Sequence, residues 1–198
     1  HKSLKAEELA RQLQRSKGSG FTRYLEHLEK GGFLTSYTPL DKPVDSRLKR
    51  YYLSDEYLHF YFKFIRPLLK RVESNLDSDL YSSIVLKPGF KAWAGLAFER
   101  ICLKHVSQIM SALRIEQLVK NYGPFFTRRQ PGQEGVQIDL LFERHDPVTT
   151  LCEMKFHQGK IGTWVIDETE KKVALLKPQK KTIEKILITT GEPSRELL

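Results

Sequence analysis

The chain has 198 residues, 40% of them hydrophobic and 29% charged, with 33 Lys and Arg against 24 Asp and Glu for a formal charge of +9. That composition suits a globular protein of one large domain or two small ones, and the basic excess favours polyanionic partners, nucleic acid above all. Only two cysteines, Cys102 and Cys152, and no CxxC pair argue against a disulfide scaffold or a Cys-rich zinc site and for a reducing cytoplasm, and no apolar run reaches the roughly 20 residues of a membrane helix.

Residues 4–15 place Leu9 and Leu13 one turn apart, with acids early and Arg late, which predicts a first helix. Residues 19–30 place Phe21, Leu25 and Leu28 at i, i+4 and i+7, and Gly31-Gly32 stops this second helix. Residues 33–40 and 47–54 read as two strands around a 41–46 loop, whose Lys42-Pro43 step fits a turn. Helix, turn, helix and hairpin make a winged helix-turn-helix pattern without its first helix. The expectation is therefore a C-terminal piece of a longer protein, with the apolar faces of Leu9, Leu13, Phe21 and Leu25 partly uncovered. Arg15, Lys17, Arg23 and Lys30, with Arg47, Lys49 and Arg50 on the wing, are candidate phosphate contacts. Glu26 and Glu29 on the same helix oppose nucleic acid, and such modules also serve in packing or dimerisation, so a homo-oligomer stays open.

Ser54 is placed to cap a helix over 55–72, with Asp55 and Glu56 in its first turn. Its stripe of Tyr57, Phe60, Tyr61 and Phe64 reads as core rather than as a base-stacking platform. The polar stretch 73–89 holds the expected boundary between domains 1–75 and 76–198. One long helix is predicted over 89–113, containing Trp93, Leu96, Ile101 and Ile109. Strands follow over 123–129, 136–142 and 150–156, the last two joined through Asp146-Pro147. A helix over 164–177 and a strand ended by Gly191 complete the order α-β-β-β-α-β, an α/β (α+β) second domain.

The 136–156 hairpin carries acids where apolar residues are expected. Alternation puts Val136, Ile138, Leu140 and Phe142 on one face and Gln137, Asp139 and Leu141 on the other; Glu153 and Lys155 share a face of the second arm. A symmetric hairpin centred on Asp146 makes Asp139 and Glu153 direct cross-strand neighbours, roughly 4.5–5.5 Å apart at Cβ, where like charges repel. A divalent cation between them reverses the sign of that interaction, and Mg²⁺ takes one or two carboxylates plus water and phosphate oxygens. Glu99 has Gly95, Leu96, Cys102 and Leu103 one turn away, so it lies on the face expected to pack on the sheet and needs a partner there.

Asp139, then thirteen residues, then Glu153-Met154-Lys155 resembles the PD-(D/E)XK nuclease motif, with Glu99 matching the helical acid many members carry. Ile138 stands where the motif's name has Pro. The α-β-β-β-α-β order over 89–191 is similar to that superfamily's restriction endonuclease-like core. The whole arrangement resembles the C-terminal half of archaeal and bacterial AAA-type ATPases. The carrying stretches are "YYLSDEYLHFYFKFI", "AWAGLAFERIC", "GVQIDLLF", "CEMKF" and "ILITTG". No GxxxxGK[ST] occurs, so ATP chemistry is not assigned to this piece. The resemblance implies that Asp139 and Glu153 hold Mg²⁺ or Mn²⁺, that Glu99 binds the metal directly or through water, and that Lys155 positions water or stabilises developing charge. It implies nucleic acid, DNA by preference, as substrate, and an N-terminal ATPase half as partner. The rival expectations are an inactive DNA-binding or regulatory module and a protein-interaction module of that ATPase. The scattered histidines, His105 and His157 among them, form no zinc pattern.

Overall fold

The computed structural model describes residues 3–38, 40, 49–74, 79–127, 134–176 and 181–197. Arg47, the Lys42-Pro43 turn and residues 128–129 of a predicted strand lie outside the described residues. The chain divides into two compact units, 1–38 with 42–94 and 39–41 with 95–198. The division expected at 75/76 falls inside the first unit. Together the elements make a mixed α/β protein. Among the described residues no helix is long and apolar enough to cross a membrane.

The first unit opens with β1 (Leu4–Lys5), α1 (Ala6–Gln12), α2 (Ser19–Lys30), β2 (Leu34–Tyr37) and β3 (Arg50–Leu53), the strands forming an antiparallel sheet in the order β1-β3-β2. The first predicted helix is thus shorter than its pattern. Leu4 and Lys5 pair with Tyr51 and Arg50 instead, and the Lys5 N–H donates to the Glu8 carboxylate at 2.8 Å to start α1. Leu25 is buried, whereas Leu13 is 61% exposed.

Where one helix over 55–72 is predicted, α3 (Glu56–Phe60) is followed by a π-helical turn (Tyr61–Ile65), a 3₁₀ turn (Arg66–Leu68) and α4 (Leu69–Glu73). Pro67 explains the interruption, since it brings no N–H to the ladder and crowds the preceding turn. Asp55, not Ser54, caps α3, accepting the Leu58 N–H at 2.9 Å; the Ser54 hydroxyl instead donates to the Gly32 carbonyl at 2.6 Å. The wide π turn shifts the aromatic stripe. Phe64 is buried against Phe60, Phe90 and Trp93, while Tyr57 is 68% exposed rather than core. A short helix, α5 (Leu80–Val85), forms in the stretch read as broken, capped by Asp79.

The predicted helix over 89–113 is two helices, α6 (Pro88–Lys104) and α7 (Val106–Leu113), separated at His105. Leu96, expected on the packed face beside Glu99, is exposed, as is Ile101; Phe98, Cys102 and Leu103 are the α6 residues that pack in the second unit's core. Apolar residues occur all round α6, so periodicity alone could not choose its buried face.

The second unit continues with β4 (Val119–Phe126), β5 (Gln137–Arg144), β6 (Val148–Lys155), β7 (Lys160–Ile161), α8 (Trp164–Leu176), β8 (Thr182–Thr189) and β9 (Glu192–Pro193). Its main sheet has the order β4-β5-β6-β8, antiparallel except for β6 with β8, which α8 connects as a crossover. Leu140, Phe142, Cys152 and Met154 pack with residues of α6 and α7 in one apolar layer. Val136, Ile138, Leu141 and Leu151 pack with Val173 and Leu176 of α8 in another. Cover on both faces accounts for the near-continuous apolar run of the two central strands.

The β5–β6 ladder pairs Leu140 with Cys152, Leu141 with Leu151, Phe142 with Thr150 and Glu143 with Thr149, the register the symmetric hairpin predicts. Arg144 pins the turn, its guanidinium holding both Asp146 oxygens at 2.9 and 2.6 Å. The predicted face assignment of β5 needs correction. Ile138 shares a layer with Leu141, not with Leu140 and Phe142. Gly123 pairs with Leu141 and Phe125 with Ile138, so Asp139 and Leu140 together oppose Pro124. A proline without an N–H faces this bulge, and a bulge resets alternation and re-aims the side chains beside it.

The small β7–β9 pair was not foreseen, and it folds the segment after Lys155 back on the end of β8. The Thr190 hydroxyl accepts from the His157 N–H at 3.1 Å and donates to its carbonyl at 3.0 Å. Gly191 leaves room for this approach, because a Cβ there would lie 2.6 Å from the Gly159 carbonyl oxygen and 3.2 Å from that of His157. Gly191→Ala is expected to cost ~1–3 kcal/mol by forcing backbone apart. Urea unfolding measures it, and a wild-type midpoint would show that the segment yields freely.

Candidate active site

Asp139 sits on the β5 bulge, one residue beyond the last ladder pair, Leu140–Cys152. Its Oδ2 accepts the Met154 N–H at 2.9 Å, so a side chain takes the place of the next backbone acceptor. Asp139 and Glu153 are therefore not a ladder pair as the symmetric register implied. The strands part at the acids, and the carboxylate of one arm caps the backbone of the other. Loss of the ladder there leaves side chains, not main chain, to fill the space.

Glu153 is 2% exposed, and both of its oxygens lie 2.6 Å from the Lys172 ammonium. The Lys155 ammonium lies 3.1 Å from Glu153 Oε1 and donates to Glu168 at 2.8 Å. That ammonium also stands 5.6 Å from the centre of the Trp164 ring. Burial pulls the Lys155 ammonium toward the neutral form, but its hydrogen bonds to Glu168 and Glu153 outweigh this and its pKa ends above the usual lysine value. Burial first, then the Glu153 charge, pushes the Asp139 carboxyl above its ordinary value; the Met154 N–H, Lys172 and Lys155 oppose them.

Glu99 on α6 belongs to the same electrostatic cluster. Burial first, then the charges of Asp139 and Glu153, pushes its carboxyl up to about 6. The four residues singled out in the sequence are thus brought into mutual influence from α6, β5 and β6. Cys102 and Cys152 are free and buried, their thiols pushed by burial to about 11 and about 12, so neither offers a thiolate at neutral pH.

Because the folded-state pKa of Glu99 is raised, the stability linked to it is fully present below the ordinary value of 4.5 and is lost as pH rises through about 6. Glu99→Gln is expected to escape that loss, ending ~1–2 kcal/mol ahead of wild type at neutral pH in EDTA. Thermal melts across that pH range check it; parallel curves for the two proteins would contradict it.

Lys172 and Glu168 were missed in the sequence. A signal existed: Val165, Thr169, Lys172 and Val173 recur at helical spacing, and Val165 and Thr169 are buried, so Lys172 lies on the packed face of α8. A lysine on such a face needs an anion.

All candidate donors are carboxylate oxygens, which suit a hard cation such as Mg²⁺ or Mn²⁺ and no thiophilic metal. A cation already stands on Glu153, the Lys172 ammonium. Among the described residues no group of three or more His, Cys, Asp or Glu is arranged to hold a metal ion. Two carboxylates completed by water match the ligand chemistry of such a cation, but the Lys172 ammonium occupies both oxygens of Glu153.

In the first unit, Arg15, Arg23, Lys30 and Lys49 are exposed. Lys17 pairs with Glu7, and Arg50 donates to the Ser3 hydroxyl and carbonyl, each at 3.0 Å.

An uncharacterized protein of Methanocaldococcus jannaschii is 26% identical over 145 residues, covering 73% of this chain and 31% of that protein. The match thus spans about a third of the relative's length. No solved structure matches. The model of the DUF234 family, described as archaea bacterial proteins of unknown function, matches residues 61–173. That match takes in more than half of the chain and every residue of the cluster around Glu153, and the chain belongs to the DUF234 family.

Proposed function

We propose that the second unit is a metal-dependent phosphodiesterase of the PD-(D/E)XK nuclease class, acting on nucleic acid, and that the first unit is a winged-helix module. The observation that carries this reading is the parting of β5 and β6 at Asp139, beside buried Glu153 and with Lys155 3.1 Å from it. The order of α6, β4, β5, β6, α8 and β8 supports it, as do the β1-β3-β2 sheet and two preceding helices of the first unit. Asp139 and Glu153 would hold Mg²⁺ or Mn²⁺, with Glu99 binding directly or through water. When bound, the ion supplies Lewis acidity and a water of lowered pKa. Lys155, kept protonated by its carboxylates, balances charge developing on the phosphate. Arg15, Arg23, Lys30 and Lys49 are the first unit's exposed candidates for backbone phosphates. The relative's greater length leaves room for the ATPase half that the sequence pattern suggests.

One observation favours a second reading, an inactive DNA-binding or interaction module: Lys172 closes both oxygens of Glu153. The test is incubation of labelled single- and double-stranded DNA and RNA with the protein in Mg²⁺, Mn²⁺ or EDTA, beside calorimetric Mn²⁺ titration. Cleavage that needs the metal supports the first reading. Neither cleavage nor metal binding supports the second.

A further inference from the structure

Lys172 is the feature the proposed chemistry does not yet use. Its ammonium contacts both oxygens of a carboxylate that is 2% exposed, at 2.6 Å each, and Lys155 contributes a second positive charge at 3.1 Å. Two lysines on one buried anion exceed what neutralising it requires. Lys155 also has Glu168. Lys172 pairs with Glu153, which it reaches from α8. A lysine is a flexible point charge that can exchange one anion for another.

Resting on the metal-dependent reading, we propose that Lys172 is a built-in counter-cation that holds Glu153 in the metal-free protein, competes with the divalent ion for it, and on displacement becomes a second phosphate-binding lysine beside Lys155. A divalent ion on Glu153 would repel the Lys172 ammonium, which covers both oxygens at 2.6 Å, more strongly than the Lys155 ammonium, which lies 3.1 Å from one oxygen and is also held by Glu168. With an ion bound, the ammonium would be freed among carboxylates already engaged, Asp139 and Glu99 by the proposed metal site and Glu168 by Lys155. The anion that enters next is the substrate phosphodiester. Metal loading and substrate binding are then coupled through one side chain.

The signature is a pair of opposite changes that a purely structural lysine does not produce. Lys172→Met is expected to bind Mn²⁺ about tenfold more tightly than wild type by calorimetry, the equivalent of ~1.4 kcal/mol. It is expected to bind a labelled DNA duplex with a single-stranded overhang about tenfold more weakly, read by anisotropy in Ca²⁺. Lys172→Arg keeps the charge and fits the carboxylate with a two-pronged fork. It should bind Mn²⁺ more weakly than wild type yet keep its DNA affinity, and this variant decides the matter if the methionine protein does not fold. Lys171→Met, an exposed neighbour on the same helix, should change neither. Unchanged or weaker Mn²⁺ binding by Lys172→Met, or unchanged or tighter binding by Lys172→Arg, overturns the inference while leaving the metal site in place. No Mn²⁺ binding by wild type overturns the metal reading and this inference with it.

Discussion

Asp139→Asn is expected to abolish Mg²⁺- or Mn²⁺-dependent cleavage, by roughly 10³-fold or more, while leaving the protein folded. Asn keeps the shape of the side chain and an oxygen that can accept the Met154 N–H, which Asp139 Oδ2 accepts at 2.9 Å, so the parted ends of β5 and β6 stay joined. What it loses is the negative charge that would hold the ion. The folded protein already disfavours that charge: burial and Glu153 raise the Asp139 pKa. Stability linked to Asp139 is present below its ordinary pKa and lost as pH rises through the raised one. The substitution should therefore raise the melting temperature in EDTA at neutral pH, because it removes a buried charge that Glu153 repels. Mn²⁺ should stabilise wild type and not the variant. Cleavage by the variant at the wild-type rate would place the activity at another site or in a contaminant.

Lys155→Ala is expected to lose cleavage by roughly 10²–10³-fold while still binding metal. The lysine is a cation, so removing it deletes no metal ligand. Glu153 retains Lys172 as a neighbour, and the buried carboxylate is not left without a counter-charge. The same substitution removes the ammonium that stands over Trp164. Trp93 is the only other tryptophan, so a change in tryptophan emission reports locally that the ammonium has gone. Single-turnover cleavage and Mn²⁺ calorimetry separate the two roles. Loss of metal binding along with cleavage would show that Lys155 maintains the site's structure and has no part in the chemical step.

Much of this site was legible because strands alternate with period two and a short hairpin has few registers. Counting outward from Asp146 located the β5–β6 pairing, and the apolar neighbours of Glu99 located its burial. The finer placement of Asp139 was not legible. It depends on a bulge opposite Pro124, on a strand distant in sequence, and a bulge resets the alternation on which the count relied. Lys172 was readable as a lysine on the packed face of α8. Its partner was not, since Glu153 and Lys172 meet only after β6 and β8 pair in parallel around the crossover. In the first unit, Leu4–Lys5 read as helix by spacing and became strand because β3 offered it a partner. The aromatic stripe after Asp55 lost its phase at the π turn next to Pro67, which no count of 3.6-residue turns foresees.

The most direct test of the metal-dependent reading is a crystal of the protein soaked in Mn²⁺ and measured for anomalous scattering. The account predicts a peak bound by oxygens of Asp139 and Glu153, with Glu99 directly or through water, and the Lys172 ammonium moved off Glu153. Saturating Mn²⁺ with no peak at these carboxylates, and Lys172 still on both oxygens of Glu153, would contradict it.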